Sequence, residues 1–369
     1  MHILHVVGAR PNFVKAAPVL RAALNRGLHQ TLVHTGQHYD WNMSDTFFAQ
    51  LELPQPHVNL EVGSGSHAWQ TAEVMRRFEP VVLARKPDLV MVYGDVNSTV
   101  AAALVCSKLQ IPVAHVEAGL RSFDTTMPEE VNRLVTDRLA DLLLTPSEDA
   151  DANLRHEGIA ENKIHRVGNV MIDSLVRLLP AAAKIPRNGL PERFAVVTLH
   201  RPANVDDGKN LKSTLESLVD ATDQLDVIFP VHPRTRQRIR EFGIDTRRLH
   251  LLDPMSYIEF LALESRAEVV ITDSGGIQEE TTFLGIPCLT MRPSTERPIT
   301  VTCGTNILVG NDPAKLLSEL AKILSGRARR ESFRLCGTVV PQTELSTLLN
   351  AGKRVPNDAT APAVSCSSC

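Results

Sequence analysis

At 369 residues and 40.5 kDa the chain exceeds one ordinary core and suits two domains. With 43% hydrophobic and 22% charged residues it is not a largely disordered chain, a collagen-like one or a small disulfide scaffold. A net charge of −3 supplies no global basic field for nucleic acid or anionic membrane, and no uninterrupted apolar run approaches the ~20 residues of a membrane-spanning helix.

The opening residues, Met1 to Pro11, read as a short strand running into a loop. They lack the basic start and small-residue cleavage site of a signal peptide. Candidate strands follow at Ile3–Val7, Gln30–His34, Leu89–Val92, Val113–Val116 and Leu142–Leu144. Helical periodicity lies between them at Pro18–Asn25, Ala68–Leu83 and Thr99–Leu109. The stretch Pro180–Pro191, with three alanines, three prolines and a glycine, reads as a soft linker. A second series then begins: Phe194–Thr198, Val227–Val231, Leu249–Leu252, Val269–Thr272 and Cys288–Met291. Strand–helix alternation of this kind predicts an α/β chain of two doubly wound, Rossmann-like domains facing a cleft. The expected boundaries are residues 1–178 and 190–350, with a disordered tail over 356–369 that is rich in Ala, Pro, Ser and Cys. Six scattered cysteines, four of them in or beside apolar segments, suit a reducing cytoplasm.

The chemistry-bearing residues sit just past strand ends, where doubly wound sheets bind ligands. Gly8-Ala9-Arg10-Pro11-Asn12 follows the first strand, and Arg10 with Lys15 can reach an anion at a helix N-terminus; ordinary surface charge is the alternative. Gly94-Asp95 and Glu117 close two further strands, and Pro128-Glu129-Glu130 opens a helix. Helix capping and dipole complementation account equally well for Asp95, Glu129 and Glu130. Glu117 is different, because a carboxylate closing a buried parallel strand needs a partner. Three carboxylates at such positions suit proton transfer in one pocket.

In the second series His200-Arg201 leaves a strand facing the cleft and suits a proton donor or phosphate partner, against the reading of a structural histidine. Val231-His232-Pro233-Arg234 closes the next strand in the same manner, so His232 and Arg234 join the candidate ligands. The strongest local signal is Thr272-Asp273-Ser274-Gly275-Gly276-Ile277-Gln278-Glu279-Glu280. There a buried strand turns into a helix whose free N–H groups can hold a diphosphate, with Glu280 placed to accept from ribose hydroxyls. Glu296-Arg297-Pro298 adds a guanidinium to the same rim.

Other patterns fail. Gly63-Ser64-Gly65-Ser66-His67-Ala68 is spaced like a dinucleotide loop, but Asp88 begins its strand instead of ending it, so no nicotinamide site is expected. His34 and His38 fall on a strand and a loop, Cys366 with Cys369 is a lone pair, and no metal is expected. The basic run Arg327–Arg334 lacks the interleaved aromatics of a nucleic-acid patch.

The ordered set of these motifs, joined by Thr35-Gly36-Gln37-His38-Tyr39, His115–Arg121 and Thr198–Arg201, resembles the non-hydrolysing UDP-N-acetylglucosamine 2-epimerase family from Met1 to about Gly310. The resemblance implies the two-domain glycosyltransferase-B fold, a cytoplasmic homodimer, and no cofactor, whether metal or nicotinamide. It implies a UDP-sugar substrate and interconversion of UDP-GlcNAc and UDP-ManNAc through 2-acetamidoglucal. Asp95, Glu117, Glu129 and His200 then form the catalytic set. Arg10 and Lys15 contact substrate, Ser274, Gly275 and Gly276 hold phosphate, Glu280 the ribose, Phe260 the uracil side, and Arg297 completes the nucleotide site. An epimerase of another UDP-2-acetamido sugar, such as a 2,3-diacetamido uronate, and a glycosyltransferase on the same fold are the alternatives. Asp40 and Glu73 stand where bacterial members with a regulatory nucleotide-sugar site carry glutamine and arginine, so weak or absent activation is expected. Ala203, Met255 and the segment Cys336–Val340 also depart from the family pattern.

Overall fold

The computed structural model describes residues 1–37, 48–187, 189–221, 223 and 225–326. The first half starts with β1 (His2–Val7), α1 (Arg10–Leu24), β2 (His29–His34), β3 (Val58–Asn59), α2 (His67–Arg85), β4 (Leu89–Tyr93) and α3 (Asn97–Leu109). It continues through β5 (Val113–Val116), α4 (Pro128–Leu139), β6 (Leu142–Thr145), α5 (Glu148–His156), β7 (Ile164–Arg166) and α6 (Val170–Ala183). Its seven strands form one parallel sheet in the order β3-β2-β1-β4-β5-β6-β7. The second half runs β8 (Phe194–Thr198), α7 (Pro202–Val205), α8 (Gly208–Ala221), β9 (Asp226–Pro230), α9 (Pro233–Glu241), β10 (His250–Leu252) and α10 (Tyr257–Glu264). It ends with β11 (Val269–Thr272), α11 (Gly275–Leu284), β12 (Cys288–Thr290), α12 (Ile299–Thr302), β13 (Asn306–Leu308) and α13 (Pro313–Leu324). A second parallel sheet results, ordered β10-β9-β8-β11-β12-β13.

The β-branched, near-continuously apolar strands are buried on both faces, as parallel sheets require. In the first half Phe13, Leu20, Tyr93 and Leu175 pack one face, and Val74, Phe78, Val105 and Leu154 the other. Leu261 and Ala262 of α10 join the first of these clusters, so α6 carries apolar packing from one half to the other. The expected linker is accordingly shorter than Pro180–Pro191: α6 continues through Pro180 to Ala183. Arg266 donates to the carbonyls of Ala183 and Ile185 just beyond it, at 3.3 and 2.7 Å. The strands β3, β7 and β13, two to three residues each, were not anticipated, being too short to show alternation. The tail 356–369, Asp40 and Cys336–Val340 lie outside the described residues.

The sheet orders position the site. In the first sheet the winding reverses between β1 and β4, and in the second between β8 and β11. Arg10, Lys15 and Asp95 follow the first pair of strands; His200 and Ser274–Gly276 follow the second pair. Crevices at such reversals are where doubly wound sheets bind ligands. Among the described residues no helix is long and apolar enough to cross a membrane.

Candidate active site

The first rim is built around a turn that a side-chain amide holds shut. The Asn12 Oδ1 accepts from the N–H groups of Gly8 and Ala9, at 3.0 and 3.1 Å, while its Nδ2 donates to the Tyr93 carbonyl at 2.7 Å. This fastens the start of α1 to the end of β4 and aims Lys15 inward. Lys15 is only 4% exposed, and its ammonium forms an ion pair with Glu117. Gly94, at φ +61°, leaves room for that pair: a Cβ there would lie 2.7 Å from Lys15 Nζ and 3.2 Å from Glu117 Oε2.

Glu117 itself sits at φ +71°, a left-handed conformation that costs a non-glycine residue about 1–3 kcal/mol. Such strain persists where neighbours over-determine it, and here they do. One carboxylate oxygen meets Lys15, and the other accepts from Arg297 Nη2 of the second half at 2.6 Å. Burial pushes the Glu117 carboxyl up, but Lys15 and Arg297 outweigh it and hold it below the ordinary carboxylate range.

Asp95 is not the cap of α3, whose N-cap position is Val96. Its Oδ2 pairs with Arg133 Nη1 at 2.5 Å, and the same guanidinium holds Glu130 at 2.5 Å. Glu130 also accepts from the Ser122 and Phe123 N–H groups, both at 3.0 Å, so it is a structural anchor for the loop after β5. Its neighbour Glu129, half-buried in the first turn of α4, makes no hydrogen bond or ion pair among the described residues and faces the charge of Arg201. Behind the rim His115 links Asp137, at 2.6 Å, to the Gly94 carbonyl, at 2.8 Å.

On the second rim Asp273, fully buried, collects donors. It accepts from the backbone N–H of Arg201 and from Asn204 Nδ2, both at 2.9 Å, and lies 2.8 Å from His200 Nδ1. Burial pushes the Asp273 carboxyl up, and the His200 bond and the other donors bring it below its usual value. With Nδ1 so engaged, the His200 ring stays about half-exposed just past the end of β8. Ser274 holds the N-cap position of α11 without a side-chain cap bond, which leaves the first N–H groups of the helix open. The Cα of Gly275 faces Glu296 and Arg297, where a Cβ would come within 2.3 and 2.4 Å. Gly276 serves packing instead: its Cβ would meet Met171 Cε of α6 at 2.8 Å.

Arg297 is the hub. It pairs with Glu117 across the halves, with Glu279 at 2.7 Å, and with Glu296, which in turn takes Arg292 at 2.7 Å. Burial pushes Glu279 up and keeps it raised, whereas Arg297 and Arg292 outweigh burial at Glu296 and lower it. Three carboxyls and three cations thus close the space between the sheets. Among the described residues Arg292 Nη1 is left without an acceptor.

Of the residues expected from sequence, the structure brings Arg10, Lys15, Asp95, Glu117 and Glu129 to one rim and His200, Ser274, Gly275 and Arg297 to the other. Glu280 lies deeper on α11, where Tyr257 Oη donates to it at 2.6 Å, and Phe260 packs against the apolar cluster that includes Phe194, Leu263 and Val270. His232 and Arg234 are engaged away from the hub. The His232 Nδ1 accepts from the Arg234 N–H at 3.3 Å, and Arg234 pairs with Asp206 at 2.5 Å. Glu73 does not stand as a free negative charge either, since Arg76 and Arg77 both reach it at 2.9 Å. Sequence reading did not single out Asp273, Arg133 or Glu279. Asp273 and Glu279 adjoin residues that were and Arg133 lies one turn along α4 from Glu129, and only the fold shows which partner each meets.

A family model described as UDP-N-acetylglucosamine 2-epimerase matches residues 22–336. A UDP-N-acetylglucosamine 2-epimerase of Methanocaldococcus jannaschii is 43% identical over 339 residues, covering 88% of this chain and 93% of its own. A UDP-2,3-diacetamido-2,3-dideoxy-D-glucuronate 2-epimerase of Pseudomonas aeruginosa is 42% identical over 341 residues, covering 91% and 96%. The crystal structure of the Methanocaldococcus jannaschii UDP-GlcNAc 2-epimerase in complex with UDP-GlcNAc and UDP superposes with a TM-score of 0.88 at 40% identity, covering 95% of this chain and 99% of that one.

Proposed function

The chain belongs to the UDP-N-acetylglucosamine 2-epimerase family, and we propose that it interconverts UDP-GlcNAc and UDP-ManNAc by eliminating UDP and adding it back after inversion at C2. The observation that carries this reading is the contact of Glu117 with Arg297. A carboxylate on one rim and a guanidinium on the other meet where a C2 proton and a departing diphosphate must be handled together.

The C2–H bond is a poor acid, so its removal needs a base while the C1–O bond to the diphosphate loosens. The α11 N-terminus with Ser274 and Gly275, together with Arg10, Lys15 and Arg297, supplies fixed positive charge for the diphosphate. Arrival of that anion competes with Glu117 for Lys15 and Arg297. Glu117 then loses the cations that hold it low and gains basicity when substrate is present. Elimination leaves 2-acetamidoglucal with a C1–C2 double bond. UDP returns to C1 and a proton to the opposite face of C2, which requires proton-bearing groups on both faces; Asp95, Glu117 and Glu129 provide them. His200, oriented by Asp273, serves the diphosphate side. Glu280 and Phe260 hold the ribose and uracil.

A second reading has specific support. The Pseudomonas relative acting on a 2,3-diacetamido uronate is as similar as the archaeal one. Arg292 Nη1 is also buried without an acceptor among the described residues, and Arg201 feels the charge of Arg292; two guanidinium groups so placed suit a uronate carboxylate. Purified protein given each nucleotide sugar separately decides between them. A kcat/KM at least about tenfold higher on UDP-GlcNAc is expected, and the reverse ratio moves the chain to the uronate substrate. By the same resemblance the protein works in the cytoplasm as a homodimer, which light scattering at twice the chain mass checks. Two features support this. Cys106 and Cys288 are buried free thiols that burial pushes up to about 12, and Trp69 and Leu83 are exposed on α2.

A further inference from the structure

Deep in the second half the structure holds a buried acid that the chemistry above does not use. Glu264 ends α10 and is completely buried, and its carboxyl oxygens meet no N–H or O–H donor among the described residues. The carboxyl of Glu280, itself only 3% exposed, is its near neighbour. Two buried carboxyl groups so placed can hydrogen-bond to each other only if a proton lies between them, because two carboxylates are acceptors alone. The arrangement is set by the helices. The Ser256–Glu259 capping box fixes the start of α10, with Ser256 N–H donating to Glu259 at 2.9 Å, and one turn of the same helix presents Tyr257 to Glu280.

We propose that Glu264 is a positioning residue for nucleotide binding: as a neutral carboxylic acid it donates to Glu280 and, together with Tyr257, holds that carboxylate in the orientation that accepts the ribose hydroxyls. This rests on the assignment of Glu280 to the ribose. The groups facing the pair are Tyr257 from α10, Glu279 on α11 and Cys288 on β12, none of them a cation. Among the described residues a second negative charge has nothing to neutralise it there. Burial accordingly pushes Glu280 up to about 7 and Glu264 well above its ordinary range. At neutral pH the pair keeps at least one proton. At alkaline pH Glu264 gives it up, the two carboxylates repel, and the ribose loses its acceptor geometry.

The test is UDP affinity by calorimetry from pH 7 to 9, where the diphosphate is mostly ionised and the uracil keeps its N3 proton, for wild type, Glu264→Gln and Glu264→Leu. The amide of Glu264→Gln donates at every pH. This variant should bind UDP within about twofold of wild type at pH 7 and lose the wild type's weakening at the alkaline end, which should reach about tenfold. Glu264→Leu should raise KM about tenfold at pH 7 with kcat little changed. Equal alkaline weakening in wild type and Glu264→Gln overturns the proposal, even if the leucine variant fails to fold. No UDP binding by wild type at any pH would instead overturn the nucleotide-site assignment beneath it.

Discussion

Glu117→Gln should lower epimerisation by about 10²–10⁴-fold while leaving UDP binding intact or tighter. The amide keeps the shape of the side chain and removes the charge that Lys15 and Arg297 now share. Those two cations then face an incoming diphosphate without competition, so affinity does not fall. The free protein is destabilised, because two buried cations have lost their common counter-charge. UDP should therefore raise the melting temperature of the variant by more than that of the wild type. Steady-state rates and melts with and without UDP check both halves of the statement. Unchanged turnover removes Glu117 from the chemistry, and lost UDP binding shows that its charge serves the fold first.

Arg297→Met carries the largest expected structural effect. It leaves Glu117, Glu279 and Glu296 close together with only Lys15 and Arg292 to compensate. Removing one partner from a buried ionic group typically costs about 3–5 kcal/mol, or on the order of 10 °C in a domain of this size. Nucleotide binding should be lost as well. The pH dependence has a definite sign. Without Arg297 the three carboxyls are raised above the value of about 4.3 that glutamates have when unfolded, so the native state takes up protons that the unfolded chain does not hold at neutral pH. The deficit relative to wild type should shrink as pH falls from 8 towards 5, and melts at the two ends measure it. Arg297→Lys restores charge without the three-way fork and should recover only part of the loss. A melting temperature within about 2 °C of wild type for the methionine variant would contradict the role of Arg297 as hub.

Much of this architecture is legible in the sequence because parallel strands buried on both faces announce themselves as short β-branched runs. Val113–Val116, Phe194–Thr198 and Val269–Thr272 fall where their hydrophobicity puts them. The residues that leave such strands are legible as candidates too, which is why Glu117 and the Ser274–Gly276 turn stood out. Pairing across the sheets is what the linear order hides. Arg297 lies 180 residues from Glu117, and nothing local to either shows that they touch. Asp95 had the look of a helix cap, and only the position of Arg133 on α4 shows that it is an ion-paired rim carboxylate. His232 and Arg234 shared the strand-exit signature, but His232 accepts from the N–H of Arg234 as a helix cap and Arg234 pairs with Asp206; β9 lies one strand out from the reversal at β8 and β11. Glu264 gave no signal at all, since a glutamate in an otherwise apolar helix end reads as an exposed residue until its burial is seen.

The central claim is that one site removes the C2 proton of a UDP-sugar while its diphosphate leaves. Proton NMR of UDP-GlcNAc incubated with the purified protein in D2O, without added metal or nicotinamide, tests it directly. The account predicts that UDP-ManNAc appears and carries deuterium at C2, with the label also entering the recovered UDP-GlcNAc as the reaction reverses. Product that retains protium at C2, or no exchange at all while UDP still binds, would contradict it.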